Sequence, residues 1–352
     1  MEHPLRVGKY TVEAFIGGGM SRVYRARDAV LGRTVALKIL TDLGASDGVA
    51  KERFLQEARI ASNISHENVI AVYDFGEDNG RPFMVMEYLE GESLREAMRA
   101  GRAGDFRRKL EIALQLARAI EFIHSKKIVH RDIKPENVHV DRAGRATLMD
   151  FGIAKSEDVA LTRIGTTLGT PFYMAPEQVT GQPATAQTDV YAFGVVLYEL
   201  LTGVRPVHGD RIEQVFQQIL YQPAPVEPLE EANVPPLVVD MITRCMAKAP
   251  AQRPQGLAAV CGQIETLLSH HSPDNAMDFV PAPETQSNSR GRAEAPAADS
   301  SNELPESDDL PEWMAKLPAP LQTHSGLIAL GAAGVAAIGA VIAIVLRVAH
   351  II

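Results

Sequence analysis

The early part of the chain is written in short runs. Residues 10–15, 23–27, 34–40, 69–75 and 83–88 are alternating or β-branched segments bounded by Gly, Asp and Asn, the pattern of strands. One longer stretch, 49–64, has helical spacing and interrupts that series. Beyond Glu92 the period lengthens. Apolar residues recur three and four apart over 110–124, 188–201, 212–220, 236–246 and 257–268, which predicts helices. The order is a strand-rich lobe followed by a helical lobe, an α+β fold of two lobes over 8–270.

Two further zones follow. Residues 271–325 are rich in Pro, Ala, Ser, Asp and Glu and bury too little apolar area to offset the entropy of ordering, so they read as a disordered linker. Within 326–347, Leu327 to Leu346 carries no charge, and 20 residues in a helix span about 30 Å, the hydrocarbon thickness of a bilayer. A transmembrane helix is expected here. Ala329, Ala333 and Ala337 lie four apart, with Gly339 and Ala343 beyond them, a spacing that permits close helix pairing and hence a homodimer.

Composition narrows the function classes. Lys+Arg 35 against Asp+Glu 44 gives a net charge of −9, so a global electrostatic hold on nucleic acid is not expected. The two cysteines, Cys245 and Cys261, have no His or Cys partners at ligand spacing, which argues against a zinc site or a disulfide scaffold and fits a reducing compartment. Residues 1–7 lack the apolar core of a secretory signal, so the two-lobed part is expected in the cytoplasm.

Chemistry-bearing residues appear in a particular order. Ile16-Gly-Gly-Gly-Met-Ser-Arg-Val23 lies between two strand-like runs, so Gly17, Gly18 and Gly19 can sit in a hairpin whose backbone approaches a phosphate, though a glycine-rich hairpin is as readily just a turn. Lys38 sits on a strand beside Ala36, and Glu57 on the helix after it. A lysine among apolar neighbours needs a partner, yet each residue alone is equally a solvated surface charge. The later half is more specific. His130-Arg-Asp-Ile-Lys-Pro-Glu-Asn137 puts Asp132, Lys134 and Asn137 on one loop, and Asp150-Phe-Gly152 follows a strand-like run. Transfer of a phosphoryl group asks for a cation on the phosphates, oxygen ligands for Mg2+ and a carboxylate at the attacking hydroxyl, and each is present.

At these residues the chain resembles the eukaryotic-type serine/threonine protein kinases, in particular the membrane-anchored ones of bacteria. Gly169-Thr-Pro-Phe-Tyr-Met-Ala-Pro-Glu177 resembles the end of an activation segment, Asp189-Val-Tyr-Ala-Phe-Gly194 the helix that anchors the catalytic loop, and Arg253 the arginine that pairs with Glu177. The resemblance implies ATP as phosphoryl donor and Mg2+, or Mn2+ in its place, as cofactor. It implies that Lys38 holds the α- and β-phosphates and pairs with Glu57, that Asp132 orients the substrate hydroxyl, and that Lys134 neutralises the transferred group. Asn137 and Asp150 would hold the metal. Glu87 and Leu89 would offer backbone to the adenine edge, with Ile16, Val23 and Ala36 above the ring. Arg131, as a buried cation before Asp132, would receive a phosphate placed on Thr162, Thr166 or Thr167 by autophosphorylation.

Two features depart from the family's pattern: Ile16 and Ser21 stand where its loop has glycine, and His139 stands where an aliphatic residue usually floors the adenine. His124 has no ligand-like partner and is assigned no role, and Arg107-Arg-Lys109 reads as a solvated helix start. Three readings stand side by side: an active protein kinase acting on protein substrates at the cytoplasmic membrane, a catalytically silent nucleotide-binding scaffold, and a kinase of small molecules. The second usually lacks the Lys or an Asp, the third the Ala-Pro-Glu segment and its arginine, and this chain has them all.

Overall fold

A computed structural model of the chain describes residues 6–18, 21–150 and 171–270. The chain divides into two units, Met1–Val280 and Pro281–Ile352. All of the second lies outside the described residues, as do the expected linker and the apolar segment 326–347. No helix among the described residues is long and apolar enough to cross a membrane.

The N-terminal lobe is an antiparallel sheet of β1 (Arg6–Val7), β2 (Tyr10–Gly18), β3 (Ser21–Asp28), β4 (Thr34–Leu40), β5 (Val72–Asp78) and β6 (Arg81–Glu87), ordered β1-β2-β3-β4-β6-β5, with α1 (Asp42–Ser46) and α2 (Gly48–Ala61) between β4 and β5. The parity of β4 decides where its chemistry goes. Val35, Leu37 and Ile39 pack with Tyr10, Tyr24 and Val85 on one face of the sheet. Ala36 and Leu40 pack with Phe54 and Ala58 of α2 on the other. Side chains alternate along a strand, so Lys38 must emerge on the α2 side. On α2, Phe54, Glu57, Ala58 and Ala61 form the buried stripe, which turns Glu57 to the same sheet face. Asp47 caps this helix, its carboxylate accepting from the Val49 and Ala50 amides.

The run 69–75, which the pattern reads as one strand, is divided. Val69 bridges Leu148 and the Ile70 amide donates to the Leu148 carbonyl, so pairing with β6 begins only at Val72. The second lobe holds a small sheet of β7 (Glu92–Ser93), β8 (Val138–Val140) and β9 (Ala146–Leu148). Around it are α3 (Leu94–Arg99), α4 (Phe106–Ser125), α5 (Pro176–Val179), α6 (Ala186–Thr202), α7 (Ile212–Tyr221), α8 (Glu227–Glu231), α9 (Pro236–Cys245) and α10 (Ala258–His270). The short α3, α5 and α8 carry too few turns to show a period in the sequence. Arg107 is not merely solvated at the start of α4, because its Nη1 donates to the Leu268 carbonyl of α10 at 3.0 Å.

α6 is the axis of this lobe. All of 188–201 is buried, including Asp189 and Glu199, and a helix apolar on every side belongs in the middle of a core. Gly194 permits the approach of α9, since a Cβ there would lie 2.8 Å from Cys245 Cβ and 2.9 Å from Met246 Cγ.

Gly194→Ala therefore overpacks the α6–α9 contact and should lower stability by about 1–3 kcal/mol. Gly262→Ala, in α10 with open space around it, should raise stability by about 0.4–1 kcal/mol. Urea unfolding of the two variants checks the contrast, and equal shifts would show that the helices do not meet closely at Gly194.

Candidate active site

The cleft begins with a buried ammonium. Lys38 is 9% exposed and Glu57 8%, and Lys38 Nζ donates to Glu57 Oε1 and to Asp150 Oδ1, both at 2.9 Å. One cation on β4 thus joins a carboxylate of α2 to one that follows β9. Burial alone would lower the pKa of the Lys38 ammonium, but the two carboxylates outweigh it and hold the group charged. Burial pushes the Glu57 carboxyl up despite Lys38, whereas the Lys38 charge holds Asp150 low. Asp150 itself sits at φ 47°, a left-handed conformation that costs a non-glycine residue about 1–2 kcal/mol.

The loop below is built on Asp189. Its carboxylate accepts from the His130 and Arg131 amides, each at 2.8 Å, and from His124 Nε2 at 2.8 Å. That grip holds Arg131 at φ 68°. His124, which the sequence leaves unassigned, is therefore part of the loop's foundation, from a helix 65 positions away in the chain. His130 is fully buried and donates from Nε2 to the Met149 carbonyl at 3.0 Å; burial lowers its pKa, so the imidazole stays neutral. Within the loop, Lys134 Nζ donates to Asp132 Oδ2 at 2.8 Å, and Asn137 Nδ2 donates to the Asp132 carbonyl at 2.8 Å and to Oδ2 at 3.1 Å. The Met149 amide donates to the Asn137 carbonyl, which sets Asn137 beside Asp150.

With Nδ2 committed to Asp132, the Asn137 side chain has Oδ1 left to offer, and Asp150 has Oδ2. These are the hard oxygen donors that Mg2+ takes, and two of them suit a metal whose remaining ligands are phosphate oxygens and water. No cluster of three or more His, Cys, Asp or Glu able to hold a metal occurs among the described residues.

A second buried pair braces the site. Arg253 Nη1 and Nη2 donate to Glu177 Oε1 and Oε2 at 2.7 and 2.9 Å, and its other donors go to the carbonyls of Ala247, Gln187 and Lys248. Glu177 Oε1 also accepts from Thr188. Burial would raise the Glu177 carboxyl, but the bonds from Arg253 and Thr188 keep it below its ordinary value.

Val23, Ala36, Met86, Leu89 and Met149 meet in one apolar cluster, while Ile16 is 53% exposed above it. Gly17 pairs with Val23 and Gly18 with Arg22. Gly18 has φ +131° and a Cβ there would collide with the Ser21 carbonyl oxygen, so this glycine is the one the hairpin requires. Gly19, Thr162, Thr166 and Thr167 lie outside the described residues. Glu87 ends β6 and accepts from Arg145 Nη1 at 3.2 Å. His139 on β8 pairs with Ser93, and its Nε2 is buried without a partner among the described residues. It lines a cavity of about 1040 Å³ together with Glu87, Leu89, Gly91 and Thr147; neither Lys38 nor Asp150 reaches that space. Arg131 is half-buried rather than buried.

Residues 10–271 match the family model of the protein kinase domain. The serine/threonine-protein kinase PrkC of Bacillus subtilis is 39% identical over 263 residues, 74% of this chain and 41% of the relative. The DNA damage-responsive serine/threonine-protein kinase RqkA of Deinococcus radiodurans is 41% identical over 263 residues, 73% of this chain and 39% of the relative. The chain thus spans about two fifths of the length of these curated relatives. Among solved structures, Rad53 in complex with AMP-PNP aligns with a TM-score of 0.61 at 27% identity, over 72% of this chain and 64% of that one.

Removing Arg253 leaves Glu177 buried and unpaired, so Arg253→Met should cost about 3–5 kcal/mol in urea unfolding. Because the Glu177 pKa is lowered by folding, the stability linked to it is complete above the unfolded-state value and lost as pH falls through the folded one. The stability difference between wild type and Glu177→Gln should then be constant above about pH 5 and shrink below it; a difference unchanged down to pH 3 would show that Glu177 is not ionised in the fold.

Proposed function

The chain belongs to the eukaryotic-type serine/threonine protein kinase family of bacteria, and on that premise we propose that it transfers the γ-phosphate of ATP to serine and threonine hydroxyls of other proteins. One observation carries the reading: Lys38 Nζ lies 2.9 Å from both Glu57 and Asp150, which joins the phosphate-holding cation to the metal-holding carboxylate across the cleft.

In this reading the Lys38 ammonium, positioned by Glu57, binds the α- and β-phosphates. The roof of the adenine site is Ile16, Val23 and Ala36, with the backbone of Glu87 and Leu89 at its edge. Asp132 accepts a hydrogen bond from the substrate hydroxyl. As that oxygen bonds to the γ-phosphorus and the bond to the β–γ bridging oxygen breaks, the hydroxyl proton passes to Asp132. Lys134, 2.8 Å from Asp132, offsets charge on the moving phosphoryl group. Asn137 Oδ1 and Asp150 Oδ2 would hold Mg2+, which supplies charge neutralisation at the phosphate oxygens when bound. The buried pair Glu177–Arg253 and the Asp189 anchor hold the loop so that these groups need not reorganise during the reaction.

Regulation and location extend the proposal. Among the described residues no carboxylate pairs with the half-buried Arg131 guanidinium, and a phosphate added to Thr162, Thr166 or Thr167 by the kinase itself would supply an anion for it. The apolar segment 326–347 would anchor the protein in the cytoplasmic membrane in a single pass, with ATP placing the kinase in the cytoplasm. This segment is also where two copies could pair.

Lys38→Met and Asp150→Asn should each reduce phosphoryl transfer to a generic protein substrate at least tenfold, about 1.4 kcal/mol or more of transition-state stabilisation, measured at a temperature where circular dichroism shows the variant folded. Either variant retaining more than a tenth of wild-type activity would remove the assigned roles. Mass spectrometry of the protein made alone should find phosphate between Thr162 and Thr167 in wild type and none in Asp150→Asn.

A further inference from the structure

Arg95, the second residue of α3, is a cation that no motif singles out. Its side chain is only 12% exposed and bridges three parts of the second lobe. Nε donates to Glu136 Oε1 at 2.8 Å, and Nη1 donates to Glu199 Oε1 at 2.6 Å. Nη2 donates to Glu199 Oε2 at 3.3 Å and to the Tyr173 hydroxyl, which in turn donates to Glu199 Oε2. Glu199 comes from the buried length of α6. Nearby, Arg205 stacks on the Phe172 ring at 3.8 Å, its Nε 3.9 Å from Glu199 Oε1.

The place of this cluster matters as much as its bonds. Glu136 stands two residues after Lys134, in the turn Pro135–Asn137 that ends the loop carrying Asp132. Phe172 and Tyr173 lie in the turn Pro171–Tyr173. A peptide that brings its hydroxyl to Asp132 lays its neighbouring residues along the same loop at about 3.8 Å per residue, so a side chain one to three positions away is within reach of Glu136. Two carboxylates at that point, left unopposed, would bind a substrate arginine in bidentate fashion.

They are not unopposed. We propose that Arg95 is a built-in substitute for a substrate cation, occupying Glu136 and Glu199 so that this kinase does not select basic residues beside the serine or threonine it phosphorylates. The inference rests on the protein kinase reading above and adds a specificity-determining residue to it. Two arginines face two glutamates, so the cluster has no net charge to offer an incoming arginine. A tethered guanidinium also acts at an effective concentration of about millimolar or more, well above that of a protein substrate. Displacing it would also break its bond to the Tyr173 hydroxyl. Arg95 touches neither Asp132 nor Lys134 in any hydrogen bond or ion pair among the described residues, and acts on substrate choice rather than on the transfer step.

The test uses the full chain and peptides with one threonine acceptor, carrying Arg or Ala at each of the three positions before and after it. In wild type the Arg/Ala ratio of kcat/KM should stay within about threefold at every position. In Arg95→Ala, with the carboxylates released, it should rise at least about tenfold at one or more positions. Arg95→Gln, which keeps a donor without the charge, should give the same direction if the alanine variant does not fold. A wild-type preference for arginine above about tenfold overturns the inference whatever the variants do, as does a folded Arg95 variant with an unchanged ratio. A wild type inert toward every peptide removes the kinase reading and the inference with it, while an active wild type that selects arginine removes the inference alone.

Discussion

A lysine ammonium buried to nine-tenths is stable only if carboxylates surround it, and the cleft is arranged around that constraint. Taking Lys38 out of water costs several kcal/mol unless its charge is met, and the parity of β4 leaves it no route back to solvent. Glu57 meets it from α2, and Asp150 meets it from the end of the described loop after β9. The sheet, the helix and the second lobe are therefore bound to one another by a contact that any of the three could break. That dependence is also what makes the contact useful: the cation reaches the cleft already oriented, and the carboxylate beside it is already ionised.

The lower lobe repeats the same logic with different charges. Asp189 lies in the first turn of α6, where the helix dipole favours an anion, and uses its carboxylate to fix two loop amides and His124. Glu177 and Arg253 close on each other with every guanidinium N–H spent. Arg95 bridges Glu136 and Glu199. Among the described residues Glu177, Asp189, Glu199 and Arg253 are charged groups buried in this lobe, a liability if any lacked a partner, and each is met by a partner from a distant part of the chain. Apolar packing supplies the cohesion around α6, and these pairs select the one arrangement in which the loop residues Asp132, Lys134 and Asn137 face the cleft together.

Much of this was legible in the sequence. The long helices and most strands follow from period and from bounding Gly, Asp and Asn, and the residues from Lys38 to Arg253 stand in motifs whose order names their chemistry. What escaped was set by contacts across the fold. Residues 69–75 look like one strand because the pattern records burial, not which neighbour the backbone pairs with, and Val69 goes to Leu148 instead. His124 reads as a bland helix residue, since its partner Asp189 is far along the chain. Arg95 sits beside a recognisable capping box of Ser93 and Glu96, which announces a short helix, yet nothing local shows that its guanidinium reaches Glu199 at a separation of 104 residues.

If Lys38 and Glu57 serve nucleotide binding as a single unit, their effects cannot add. Calorimetric affinities of Mg·ATP for wild type, Lys38→Met, Glu57→Gln and the double variant form a cycle that isolates this coupling. The expected result is that Glu57→Gln weakens binding in the wild type and changes it by less than about twofold once Lys38 is already methionine. Losses that multiply in the double variant would show that Glu57 acts apart from Lys38, and that the buried ion pair is not what prepares the cleft for ATP.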